Sequence, residues 1–287
     1  MTARDIFRSS DGQYRALWRI LAFLGFVTLL DGAITLGLSP FAAAANRFTG
    51  IEDTIGIFAL MLALVIAHVL MLRAIEHRPW SYVWLDRASA RPALLGFGAV
   101  LGAAPIAIAS LVLVVLGWLA VEPSAAGSWL AAALKMTLVL GVAALGEELF
   151  SRGYILAAMA DGMGMRAAVV VSSVTFGLLH LGNPGVTAQP IILVTLAGFQ
   201  LAAVLLATRS LYAATAAHLA WNWVMAVPLH VEVSGIPVPH PGYKTVDAGP
   251  DWATGGPWGP EGGAFAAVGM IAIIGYLYFR RTRTQPI

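Results

Sequence analysis

Long apolar runs separated by short polar connections dominate the chain, most of them near or above the ~20 residues a helix needs to cross a ~30 Å hydrocarbon core. They predict about eight spans, at 16–39, 54–75, 92–120, 128–160, 165–182, 188–208, 211–230 and 264–280. Lipid offers backbone groups no hydrogen bonds, so runs of this length are helices, not the ~10-residue alternating segments of a barrel. The expected fold is an all-α integral membrane protein. About three spans lie in 1–127 and four in 128–230. An external Gly/Pro-rich loop follows at 231–263, then a last span and basic tail at 264–287. The loop holds Glu232, Lys244, Asp247, Asp251 and Glu261, with Trp252 and Trp258 suited to a membrane interface.

Basic residues fall in alternate connections: Arg4 to Arg15, then Arg73, Arg78, Arg87 and Arg91, then Arg166, Arg209 and finally Arg280, Arg281 and Arg283. The intervening loops hold only Arg47 and Lys244 as bases. Because cytoplasmic loops carry the excess of Lys and Arg, both termini are expected to be cytoplasmic, which requires an even number of spans. The first run contains Arg19 and Asp31 and has no short apolar region ending in a small-residue cleavage site, so it is expected to be a retained span.

Composition agrees: of 287 residues, 59% are hydrophobic and 11% charged, and the mean hydropathy is +0.80. A net charge of +2 records loop arginines and does not point to nucleic acid. No cysteine is present, which excludes thiol nucleophiles, disulfides and thiolate metal sites. Alanine-rich spans and compact loops suggest a prokaryotic, inner-membrane setting.

Ionisable groups at bilayer depth cost about 2.5–3.5 kcal/mol each, so they mark candidate sites. Glu147 lies about 13 residues, or roughly 20 Å, from the cytoplasmic end of span four near Ala160, and His180 lies equally deep counted from Arg166. Glu148 and Arg152 are an i, i+4 pair in the order that favours a salt bridge, whereas Glu147 points about 100° away. An unpaired, desolvated Glu147 is suited to general-base work and a paired Glu148 to holding the helix. The competing reading is that Arg152 and Lys135 merely neutralise both acids. In span seven, His218 and Asn222 share a helical face. Two donors fixed there suit a developing oxyanion, but His and Asn equally serve as polar glue between membrane helices. Asp31, His68 and Lys135 are single groups without a partner at helical spacing, and His77, His230 and His240 lack ligand-like spacing. Ser151, Ser172 and Ser173 form no GxSxG elbow.

Glu147-Glu148-x-x-x-Arg152, Phe176-x-x-x-His180 and His218-x-x-x-Asn222 together resemble, in order, the EExxxR, FxxxH and HxxxN motifs of the CAAX-protease and bacteriocin-processing (CPBP, or Abi) family of intramembrane peptidases. The resemblance covers about residues 128–225. It implies a helical bundle around an intramembrane polar cavity, in which Glu147 and His180 activate water, His218 and Asn222 form an oxyanion hole, and Glu148 with Arg152 supports the site. The implied substrates are membrane-associated peptides or proteins, CAAX-like at their C-terminus or of signal-peptide type. The family is also described as metalloproteases, and Glu147, His180 and His218 would be the zinc ligands. A metal-free glutamate-type mechanism is favoured, since Asn222 is a poor zinc ligand yet belongs to the motif. A reading from another class is a scaffold or proton-coupled transporter; no inverted repeat or pair of broken helices supports a carrier.

Overall fold

A computed structural model describes residues 7, 14–239 and 241–284. Arg4, Arg8, His240 and the side chains of Arg281 and Arg283 lie outside the described residues. The chain is mostly helical: α1 (Ala16–Leu38), α2 (Ala42–Thr49), α3 (Thr54–Val69), α4 (Pro92–Val115), α5 (Trp129–Arg152), α6 (Tyr154–Met163), α7 (Met165–Leu179), α8 (Ala188–Thr208), α9 (Leu211–Val224) and α10 (Ala264–Thr284). Among the described residues six helical stretches are long and apolar enough to cross a membrane, which falls short of the eight expected. The expected spans at 211–230 and 264–280 are the shorter ones. Of these, α9 has 14 residues before a π-helical turn at Met225–Leu229. Surrounded by α4, α5 and α8, α9 is set by protein packing more than by bilayer thickness.

Three further expectations change. The span expected at 128–160 is two helices that part at Gly153. The divider comes from another span. His68 donates from Nδ1 to the Leu64 carbonyl (2.7 Å), which leaves Nε2 to accept the Tyr154 N–H at 3.0 Å and cap the restart of the helix. A Cβ on residue 153 would lie 2.4 Å from that same nitrogen, so the site requires glycine. The span expected at 92–120 ends at Val115. Residues Leu119–Gly127 are instead a strand, β1, paired antiparallel with β2 (Pro241–Asp247). Part of the 231–263 loop is therefore held to the end of α4, with Glu122 opposite Lys244 at 3.1 Å.

Close helix approach places α9. In α4, Gly98 and Gly102 face the Ala213 and Ala217 carbonyls of α9; an added Cβ would meet those oxygens at 2.1 and 1.9 Å. This is the small-residue packing that brings membrane helices together. The start of α9 is also fixed: Ser210 Oγ accepts from the Ala213 N–H (3.0 Å) and donates to the Ser89 carbonyl (2.6 Å), and the Leu211 N–H donates to the Trp84 carbonyl (3.1 Å).

Near the start of α9, Arg19 of α1 is buried and meets Glu76 (2.7 Å) and Asp161 (2.8 Å). It also donates to the Tyr82 hydroxyl at 2.6 Å, which in turn donates to Asp161 at 2.8 Å. The Tyr154 hydroxyl donates to Glu76. Burial pushes the Tyr82 hydroxyl above the usual tyrosine value; the Arg19 charge opposes this and the bond to Asp161 reinforces it. An arginine inside the first apolar run is thus tied to the ends of α3 and α6.

Candidate active site

The face of α5 formed by Met136, Val139, Leu140, Ala143, Glu147 and Ser151 lines a cavity of about 400 Å³. Spacings of three and four residues, with Val139 and Leu140 side by side, keep these positions on one side of the helix. His180, from the turn that ends α7, and His218 and Asn222, from α9, line the same cavity. One space therefore gathers the four candidates from three sequence segments.

The two glutamates occupy different surroundings. Glu148 and Arg152 are both fully buried and 2.9 Å apart. Glu148 Oε1 also accepts from His218 Nδ1 at 3.0 Å. The Arg152 guanidinium donates to the Gly198 carbonyl of α8 (3.1 Å) and stacks over the Phe176 ring at 4.2 Å. The network links α5, α7, α8 and α9. Glu147 has 39% of its side chain accessible, and its Oε2 lies 3.8 Å from His218 Nε2. That oxygen has no hydrogen-bond partner among the described residues. The side chain of Glu147 is part-buried, its helix face forming the wall of the cavity, while Oε2 itself is buried. Lys135 does not neutralise either acid; its ammonium lies 5.5 Å from the centre of the Phe48 ring.

Hydrogen bonds assign the imidazoles. His180 Nδ1 donates to the Phe176 carbonyl (2.8 Å), leaving Nε2 as the unbonded nitrogen able to accept a proton. His218 Nδ1 donates to Glu148, so Nε2 is the nitrogen on the Glu147 side. Phe176 separates the two rings, with centroids 5.0 Å from His180 and 5.9 Å from His218. At 15 residues, or about 22 Å, α7 is shorter than the ~30 Å hydrocarbon core. His180 is thereby held on a helix end where irregular backbone borders a cavity, the setting in which membranes tolerate it.

Among the described residues no group of three or more His, Asp or Glu side chains is placed to hold a metal ion. Of the weaker candidates, Ser151 lines the cavity and its carbonyl accepts from Ser172 Oγ at 2.6 Å. His68 is the helix cap described above, and His230 meets the Val238 carbonyl at 3.3 Å.

Two residues outside the motifs reach the site. Ser234 lines the cavity, and its carbonyl accepts from Asn183 at 3.0 Å. Glu261 accepts from Ser234 and from the Trp221 indole. No local spacing relates positions 221, 234 and 261; the only sequence sign was an acid within a Gly/Pro-rich loop.

Residues 127–224 match the family model described as type II CAAX prenyl endopeptidase Rce1-like. All three motifs lie inside the match. No curated protein matches the chain.

Proposed function

We propose, taking residues 127–224 as an Rce1-like CAAX-protease domain in a membrane protein, that the chain is an intramembrane endopeptidase in which Glu147 and His180 activate the attacking water. The observation that carries the reading is the shared cavity: a carboxylate with an unpartnered oxygen, a histidine with a free Nε2 and an Asn/His donor pair line one space. The family supports protease activity of the CAAX type. The residue roles below extend it to this chain.

Glu147 takes a proton from water as the oxygen attacks the scissile carbonyl carbon, with His180 Nε2 orienting the same water. The tetrahedral oxyanion receives a hydrogen bond from the Asn222 amide, and one from His218 Nε2 when that ring carries both protons. Collapse breaks the C–N bond, and Glu147 returns its proton to the leaving amine. Glu148 fixes the His218 ring through Nδ1, and Arg152 holds Glu148 in place. No metal enters these steps. The apolar wall of Ile51, Leu60, Met136, Val139 and Leu140 suits an extended, hydrophobic peptide presented from the bilayer. The arginine distribution supports cytoplasmic positions for both termini.

The test is cleavage in H₂¹⁸O. Purified protein in liposomes is offered membrane-anchored peptides ending in CAAX-like sequences and signal-peptide segments, and products are read by mass spectrometry. New C-termini carrying one ¹⁸O show that water supplies the new carboxylate oxygen and support hydrolysis. Absence of any cleavage across both classes contradicts it.

A further inference from the structure

Glu261 belongs to a segment beyond the family match, in a loop expected to lie outside the membrane, yet it is only 6% exposed. Its Oε2 accepts from Trp221 Nε1 at 3.0 Å. Its Oε1 accepts from the Ser234 backbone N–H (2.6 Å) and Oγ–H (2.8 Å). Among the described residues no Lys, Arg or His forms an ion pair with it, so N–H and O–H donors alone hold this carboxylate.

The donors are the informative part. Trp221 directly precedes Asn222 on α9. Ser234 has a left-handed backbone (φ 52°) and forms the tip of a tight turn closed by Val233 and Ile236. Through its carbonyl that turn holds Asn183, three residues after His180. A single carboxylate therefore joins the helix bearing His218 and Asn222 to the turn that fixes the end of α7. Gln189 clamps the same loop by donating to the Gly262 (2.7 Å) and Trp252 (2.9 Å) carbonyls. Glu261, Ser234, Gln200, His180, His218 and Asn222 also surround a small space of about 30 Å³.

We infer that Glu261 is a positioning residue for the proposed peptidase: through Trp221 and Ser234 it sets where the Asn222 amide and the His180 ring meet the cavity. This rests on the peptidase reading. Glu261→Gln keeps the size of the side chain but turns an NH₂ group against either the indole N–H or the Ser234 donors. A displacement near 1 Å of a group that meets the transition state can cost about 100-fold in rate.

The experiment compares wild type, Glu261→Gln and Trp221→Phe in nanodiscs. Turnover of an internally quenched peptide that wild type cleaves is measured alongside nitrogen-15 NMR of selectively labelled Trp and Asn side chains. For Glu261→Gln the expected result is a kcat lower by about 10–100-fold with little change in KM, an upfield move of the Trp221 indole proton and a shift of the Asn222 amide. Adding Trp221→Phe should cause little further loss, because both variants break the same link. If Glu261→Gln does not fold, Trp221→Phe, which removes one donor only, carries both the kcat and the Asn222 readouts. An unchanged kcat, or an Asn222 amide that does not move, overturns the inference. A wild-type protein that cleaves nothing would instead sink the peptidase reading, and the Asn222 resonance then decides the positioning claim alone.

Discussion

Replacing Glu148 by Gln removes one charge from a pair that has no access to solvent. Arg152 would then keep its charge with the Gly198 carbonyl at 3.1 Å, the Phe176 face at 4.2 Å, a neutral carboxamide oxygen and the unpaired Glu147 charge to offset burial, but no ion-pair partner. Breaking a buried pair by removing one partner costs about 3–5 kcal/mol. For a chain of this size each kcal/mol lowers the melting temperature by roughly 2–4 °C, so a fall of about 10 °C is expected. The assay is the apparent melting temperature in detergent at fixed lipid content. Arg152→Met alone should cost a similar amount, by stranding the carboxylate. Combining the two removes both charges, and buried pairs replaced together by neutral side chains are often near neutral. The double variant should therefore recover more than half of either loss, helped by the new carboxamide oxygen, which can still accept from His218. A double variant that loses the sum of the two singles, or a Glu148→Gln protein that melts with wild type, would refute this account of the pair.

Gly102→Ala should lower both stability and turnover, because its Cβ would sit 1.9 Å from the Ala217 carbonyl and push α9 away; Gly96→Ala, with nothing within 4 Å, is the control and should be neutral or stabilising by about 0.5–1 kcal/mol. His68→Leu should cost about 1–3 kcal/mol by leaving the Tyr154 N–H buried and unbonded, and an unchanged melting temperature would remove His68 as the cap of α6. The raised Tyr82 hydroxyl sets the sign of a pH effect: above about pH 10 an unfolded tyrosine loses the proton that the folded state keeps, so stability falls as pH rises past that point. Tyr82→Phe should flatten that alkaline decline in a melting series, and equal slopes would contradict the assigned environment.

The sequence made the site legible where its residues are helical neighbours. Glu148 and Arg152, and His218 and Asn222, declare a shared face by i, i+4 spacing, and Glu147 is separated from Glu148 by the same geometry. Contacts arising from distant segments were not legible. The run through Gly153 reads as uninterrupted span, since one glycine is tolerated in an apolar helix; the break depends on His68, 86 positions before the Tyr154 N–H that it caps. Strand β1 contains Pro123 and several alanines and has its partner in a loop segment that begins beyond residue 240, so neither alternation nor propensity announces it. The eight expected spans rest on hydropathy, which does not register that a buried helix such as α9 need not match the bilayer. Glu261 was grouped with the loop acids because its role comes from three donors brought in by folding. Arg19 is legible only as a charge within the first apolar run, because its compensation by Glu76 and Asp161 lies in other segments.

The central claim is that Glu147 activates water, and its most direct test is the turnover of Glu147→Gln. The substitution keeps the shape of the side chain and removes only its capacity to take a proton, and the buried ion pair of Arg152 is made with Glu148, so it survives the change. The account predicts that hydrolysis falls to background while the melting temperature stays close to that of wild type. A folded Glu147→Gln protein that still cleaves at or near the wild-type rate would contradict it.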